Sequence, residues 1–138
     1  MKTTKPYRLL ARYYDEFFTF HRDGYRRAHE RLLGAILPRI DSACDLACGT
    51  GTTAIEIASR GILVFALDVS PIMCRLTREK AARAGVTLHV LRRDMRNFRL
   101  PAPVDLITCE FDALNHLPHK RDSQCHSEWD QNVESCGL

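Results

Sequence analysis

No stretch of this 138-residue chain stays apolar for longer than Ile62–Leu67 (ILVFAL). That is far short of the roughly 20 residues a membrane-spanning helix needs. The N-terminus, MKTTKPYRLLARYYDEFF, lacks the apolar core and small-residue cleavage site of a secretory leader, so the cytoplasm is the expected compartment. Cys44, Cys48, Cys74, Cys109, Cys125 and Cys136 include no CxxC pair, which argues against a paired zinc site or a disulfide framework. Several lie in apolar strand patterns, where a reduced thiol packs as a small hydrophobe. His116, His119, Cys125 and His126 gather near the end, but at no tight ligand spacing, and no metal is expected. Charge of one sign is also scarce overall, at a net +3, though residues 1–40 carry nine Lys/Arg against four Asp/Glu. A solvated amphipathic face accounts for that excess with fewer assumptions than a nucleic-acid surface, and no nucleic-acid partner is expected.

What is present is an alternation of helix and strand patterns. Residues 7–20 carry aromatics at helical spacing. Tyr25–Leu37 continues with Ala28, Leu32, Leu33, Ile36 and Leu37 on one side and Pro38 as a stop. SACDL (Ser42–Leu46) reads as a buried strand, followed by a Gly-rich turn and a helix over Thr52–Ser59 closed by Gly61. A second strand, Leu63–Leu67, ends at Asp68. Ser70-Pro71 then supplies an N-cap with proline in the first turn of a helix running to Ala84 and closing at Gly85. TLHVLR (Thr87–Arg92) and VDLITCE (Val104–Glu110) are the third and fourth strands. Apolar strands alternating with helices imply an α/β, doubly wound (Rossmann-like), mostly parallel sheet covered on both faces. From Arg121 onward the large apolar residues are Trp129, Val133 and Leu138, without period. Residues 1–120 are therefore expected to be the domain and 121–138 a polar tail.

In such sheets ligands lie beyond the C-terminal strand ends, which makes one rim of Asp45–Gly51, Asp68–Ser70, Asp94–Met95 and Glu110–Asn115. GTGTTA fits G-x-G-x-x-G/A with Asp68 about twenty residues on, the pattern of a dinucleotide site. Asp45 argues the other way, because a pyrophosphate would set its charges close to a carboxylate in a partly buried cleft. A ligand with a cationic end and no phosphate, such as S-adenosylmethionine, suits three carboxylates that close strands one, two and three.

At these residues the chain resembles the class I S-adenosylmethionine-dependent methyltransferases, of the kind that act on small molecules. Asp45-Leu46-Ala47-Cys48-Gly49-Thr50-Gly51 is similar to their motif I, ALDVSPIM (Ala66–Met73) to the acidic second-strand motif, RRDM (Arg92–Met95) to the third and DLITCEFDALNHL (Asp105–Leu117) to the fourth. YYDEFF (Tyr13–Phe18) is similar to the N-terminal helix that lids the cofactor in many relatives. The resemblance implies that Ala47, Gly49 and Gly51 let the loop backbone approach the methionine part and that Asp45 helps hold its amino group. It implies Asp68 on the ribose hydroxyls, Val69 and Met73 beside the adenine, Asp94 as acceptor for the adenine amino group and Met95 packed on the ring. Glu110 and Phe111 would border the sulfonium, and Tyr14 would close the top. Ala47 stands where the family often has glycine.

The family fold has seven strands and this chain supplies about four, so the resemblance also implies a domain truncated after the fourth. Its Asp105–Cys109 edge would then invite pairing with a second copy. Methyl transfer asks mainly for alignment and exclusion of water, and a base only where the acceptor is protonated. The catalytic residue is therefore not named by the sequence, and His116 is the one candidate base. The expected activity is methyl transfer to a small-molecule acceptor. The alternatives left open are a non-catalytic cofactor-binding remnant and an NAD-dependent oxidoreductase.

Overall fold

The computed structural model describes residues 22–109, which form three α-helices and a four-stranded sheet. Helix α1 (Arg22–Ile36) passes into a 3-10 turn, Leu37–Arg39, because Pro38 has no N–H to continue the α-helical ladder. Strand β1 (Ser42–Leu46), helix α2 (Thr52–Ala58), strand β2 (Leu63–Asp68), helix α3 (Pro71–Ala84), and strands β3 (His89–Arg92) and β4 (Leu106–Cys109) follow.

The apolar stripe of α1 is narrower than its sequence pattern. Leu33 and Leu37, four residues apart, are buried at 3 % exposure, whereas Leu32 is 62 % exposed and Ala28 is also exposed. A residue one step away on a helix points about 100° aside, so Leu32 turns off the line that Leu33 and Leu37 share.

Helix α3 begins and ends where its local chemistry dictates. The Ser70 hydroxyl accepts from the Met73 N–H at 3.3 Å with Pro71 in the first turn. At the other end Gly85 takes φ 67 while its N–H reaches the Ala82 carbonyl and the Val86 N–H reaches that of Ala81. Those two bonds are a Schellman motif. They hold the chain on the helix as far as Val86, and β3 starts at His89 rather than at Thr87.

The sheet is parallel throughout, in the order β3-β2-β1-β4. Asp45 lies level with Ala66 on one side and Thr108 on the other. One core joins Ala43, Val64 and Ala66 to Leu33, Leu37, Ala54 and Ile57 of the helices. On the opposite face Cys44, Leu46, Phe65 and Leu67 pack against Met95, Phe98 and Val104. Among the described residues the second cover is thus the segment between β3 and β4, not a helix. The handedness rule explains the division: both crossovers to β2 and β3 step the same way, while the return to β4 steps back and crosses the other face. Strand β4 is the outermost strand on its side among the described residues, and its residues are half-buried.

Candidate functional site

The direction of winding reverses between β1 and β4, and the loop that leaves β1 opens at that point. Every second residue of this loop is left-handed: Ala47 at φ 51, Gly49 at φ 58 and Gly51 at φ 81. The Cys48 N–H donates to the Leu67 carbonyl at 2.9 Å and the Gly51 N–H to the Cys48 carbonyl at 2.9 Å, so the turn closes on itself while staying tied to β2. The space a Cβ on Gly51 would take is filled by Thr77, whose Cγ2 would stand 2.5 Å away. Gly51 therefore serves the contact of loop with α3 as well as the turn.

Asp68, at the end of β2, joins two segments. Its Oδ2 accepts from the Gly49 N–H at 3.0 Å and its Oδ1 from the Ser70 N–H at 2.8 Å, so one carboxylate fixes both the loop and the entrance to α3. Burial pushes its carboxyl above the ordinary value, and hydrogen bonds from the N–H groups of Ser70, Gly49 and Val69 offset part of that.

Asp45 is buried on the helix-covered face at 3 % exposure, and its Oδ1 accepts from the Thr108 hydroxyl at 2.7 Å. Burial holds the Cys48 thiol well above its ordinary pKa, with Asp45 and then Asp68 adding to the effect, so both carboxylates make the loop electronegative. The thiols of Cys44 and Cys74 are raised as well, chiefly by burial. Cys44, Cys48, Cys74 and Cys109 form no disulfide with one another, and no group of potential metal ligands occurs among the described residues.

The third carboxylate follows directly, since the Arg93 N–H donates to the Asp68 carbonyl at 3.1 Å. Asp94 is half-buried and clasped by its neighbour: Arg96 Nε lies 3.0 and 3.1 Å from the two oxygens and Nη2 2.6 Å from Oδ2. These bonds hold its carboxyl below the ordinary value. Met95 is 8 % exposed and packs into the second core beside Phe98, Met73 is 2 % exposed on α3, and half-buried Val69 offers its carbonyl to Arg92 Nε at 3.2 Å.

The structure thus ties Gly49 and Ser70 to Asp68 and Gly51 to Cys48 by hydrogen bonds, places Asp45 and Ala47 on the strand end and loop that carry these glycines, and sets Val69, Met73, Asp94 and Met95 on the segments that follow β2 and β3. Tyr14, Glu110, Phe111 and His116 lie outside the described residues, as do Tyr13–Phe18 and the tail 121–138. Sequence reasoning missed two residues. Thr108 is a lone hydroxyl in an otherwise apolar strand pattern, a signal that was there to be read. Thr77 is buried on α3, and its Oγ1 donates to the Gly49 carbonyl at 2.8 Å.

Comparison with known proteins decides the family. A family model described as a methyltransferase domain matches residues 43–137, more than half of the chain. The chain belongs to this methyltransferase family. The resemblance carried by the four motifs is borne out, and the match runs on past Leu117, where the last motif ends. YqeM of Bacillus subtilis (strain 168), named as a methyltransferase, is 34 % identical over 89 residues, covering 64 % of this chain and 36 % of that protein. The dTDP-3-amino-3,6-dideoxy-alpha-D-glucopyranose N,N-dimethyltransferase of Streptomyces fradiae is 34 % identical over 80 residues, covering 58 % and 30 %. The chain spans about a third of the length of the curated relatives it matches.

Among solved structures, an S-adenosylmethionine-dependent methyltransferase from Clostridium acetobutylicum ATCC 824 has a TM-score of 0.74 over 93 % of this chain and 53 % of its own, at 23 % identity. That likeness bears out the Rossmann-like α/β fold. SAM-bound CalS10, an amino pentose methyltransferase from Micromonospora echinaspora involved in calicheamicin biosynthesis, has a TM-score of 0.62 over 79 % and 44 %, at 28 % identity. No described helix is long and apolar enough to cross a membrane.

Proposed function

We propose that this methyltransferase-family chain binds S-adenosylmethionine at the rim of β1 and β2 and serves methyl transfer to a small-molecule acceptor. The observation that carries the reading is the Asp68 carboxylate, held by Gly49 and Ser70 between the loop and α3, with buried Asp45 beside the same loop. The donor set fits the group. A carboxylate accepts at about four lone-pair sites. Backbone N–H groups engage only part of that capacity on Asp68, leaving acceptor strength for a ribose diol. The negative potential of Asp45 and Asp68 suits an ammonium and a sulfonium and opposes a pyrophosphate, which separates this ligand from NAD.

In this proposal Ala47, Gly49 and Gly51 carry the loop past the methionine part, and Asp45 favours its amino group. Val69 and Met73 border the adenine. Asp94 keeps its orientation through Arg96 and accepts from the adenine amino group, with Met95 packed behind it. Tyr14, Glu110, Phe111 and the candidate base His116 retain the roles the family resemblance implies. The bound cofactor supplies a methyl group already activated by its sulfonium. The protein's part is to orient, exclude water and take up a proton where the acceptor carries one. The compartment proposed is the cytoplasm, in keeping with four described cysteines that form no disulfide with one another. Self-association through the outer edge of β4 is proposed with it, and sedimentation over a range of concentrations tests that part.

The test of the function is thermal unfolding and calorimetric titration of the full chain with S-adenosylmethionine, S-adenosylhomocysteine and NAD. Ligand at a hundred times its dissociation constant stabilises by about 2.7 kcal/mol. A shift with the two adenosyl compounds, abolished in Asp68→Ala, is the expected result. A shift with NAD alone, or with none of the three, refutes the reading.

A further inference from the structure

We infer that Thr77 of α3 is a positioning residue for the cofactor loop, its hydroxyl fixing the Gly49 peptide on which adenosyl-ligand affinity depends. The inference rests on the cofactor site proposed above and adds to it a residue no motif contains.

Thr77 is fully buried, at 0 % exposure. A threonine within a helix can return its hydroxyl proton to the carbonyl four residues back. Here the one proton goes across to the Gly49 carbonyl at 2.8 Å. The Gly49 N–H meanwhile donates to Asp68 Oδ2 at 3.0 Å, so the residue is held on both sides, from β2 and from α3. Gly49 sits at φ 58, a conformation of wide freedom for glycine, and a loop that must present itself to a ligand gains from having that freedom removed. In a trans peptide the following N–H points opposite to the carbonyl. Anchoring the Gly49 carbonyl on α3 therefore turns the Thr50 N–H away from that helix. The methyl of the same side chain fills the volume beside Gly51, and the Cys48 sulfur lies 3.8 Å from the Thr77 oxygen. Lys80, one turn further along α3, adds bonds to the hydroxyls of Thr52 at 2.7 Å and Thr50 at 3.4 Å. One face of α3 thus sets the loop from Cys48 to Thr52.

The test uses the full chain with Thr77→Ser, Thr77→Cys and Thr77→Val, each titrated with S-adenosylhomocysteine at a temperature where it is folded. Amide hydrogen exchange is followed without ligand. A purely structural threonine lowers the melting temperature in all three and leaves the dissociation constant of the folded chain alone. A positioning hydroxyl instead orders the constants Ser, Cys, Val, with valine weaker by about fivefold, the worth of one net hydrogen bond. Serine stays within about twofold of the parent on the same scale. The Gly49 and Gly51 amides exchange faster in valine while those of β2 do not. Should valine fail to fold, the serine and cysteine pair carries the comparison. Equal affinity in all three variants, or unchanged loop exchange in valine, overturns the inference. If the parent chain binds neither adenosyl compound, the function reading has failed instead, and hydrogen exchange alone still decides whether Thr77 fixes the loop.

Discussion

Thr108 Oγ1 donates to Asp45 Oδ1 at 2.7 Å, from a strand that lies level with it in register. The pair spans the reversal point of the sheet, where β1 and β4 meet. A hydrogen bond to a charged group is worth about 1.5–3 kcal/mol, and a buried carboxylate that loses one of its donors loses that contribution. Thr108→Val keeps the shape and strand preference of the side chain and deletes only the donor. We expect it to lose about 2 kcal/mol in urea unfolding, with Thr108→Ser recovering most of the loss. A valine variant as stable as the parent would mean that the Thr108 hydroxyl adds nothing net to the stability of Asp45 in place.

Ala47 invites the opposite experiment. Its φ of 51 costs an alanine about 1–2 kcal/mol that a glycine does not pay. Glycine in turn adds freedom to the unfolded chain, worth about 0.4–1 kcal/mol. The balance predicts that Ala47→Gly raises stability by about 0.5 kcal/mol, and that Ala47→Val, β-branched in the same conformation, lowers it severalfold more. Chemical denaturation of the three chains decides it. A destabilising glycine would show that the Ala47 methyl group packs against more than it strains.

The contrast between these positions shows what was legible beforehand. The helix caps at Ser70 and Gly85 and the carboxylates at strand ends are local signals, and they were readable residue by residue. The position of the Gly-rich loop was readable for the same reason. The partnership of Asp45 with Thr108 joins residues 63 apart, and it exists only because β4 returns to lie beside β1. Thr77 reads locally as one more small residue on an amphipathic helix. Its role follows from the packing of α3 on a loop that lies 28 residues earlier. Leu32 failed for a related reason, since periodicity marks a stripe without saying how wide a stripe the partner elements will cover. The cover of the second sheet face was half legible: handedness places the return connection there, while among the described residues Met95, Phe98 and Val104 of that connection fill the core without a helix.

Gly51 and Gly61 form a matched pair for separating backbone strain from packing. Both are left-handed, at φ 81 and 82, but nothing lies within 4 Å of a Cβ on Gly61, whereas one on Gly51 meets Thr77 Cγ2 at 2.5 Å. Gly61→Ala should cost about 1 kcal/mol from conformation alone. Gly51→Ala adds overpacking, about 1–3 kcal/mol more, and Thr77→Ser introduced beside it should return part of that by removing the methyl group. Equal losses at the two sites, measured by thermal unfolding, would mean that α3 yields freely to the loop.

The Asp94–Arg96 pair gives a pH signature. Hydrogen bonding from Arg96 is the main cause that lowers the Asp94 carboxyl below its ordinary 3.8. A carboxyl depressed in the folded state contributes stability that is present above the unfolded value and lost as pH falls through the folded one. Both side chains are 27 % exposed, so solvent screening limits the pair to about 0.5–1 kcal/mol at neutral pH. Arg96→Ala leaves the backbone bond from the residue 96 N–H to Asp94 Oδ1 in place and removes only the guanidinium's share. Asp68 runs the other way. Its carboxyl is raised by burial, so its contribution is complete below the unfolded value and lost as pH rises through the folded one. Parent and variant both keep Asp68, so its slope cancels in their difference. We expect the stability gap between them to be constant from neutral pH down to about 4 and then to close as Asp94 takes up its proton. High salt should narrow the neutral-pH gap as well. A gap that persists unchanged into strong acid would show that Arg96 stabilises the turn through its packing, and that Asp94 is held by something other than the ion pair.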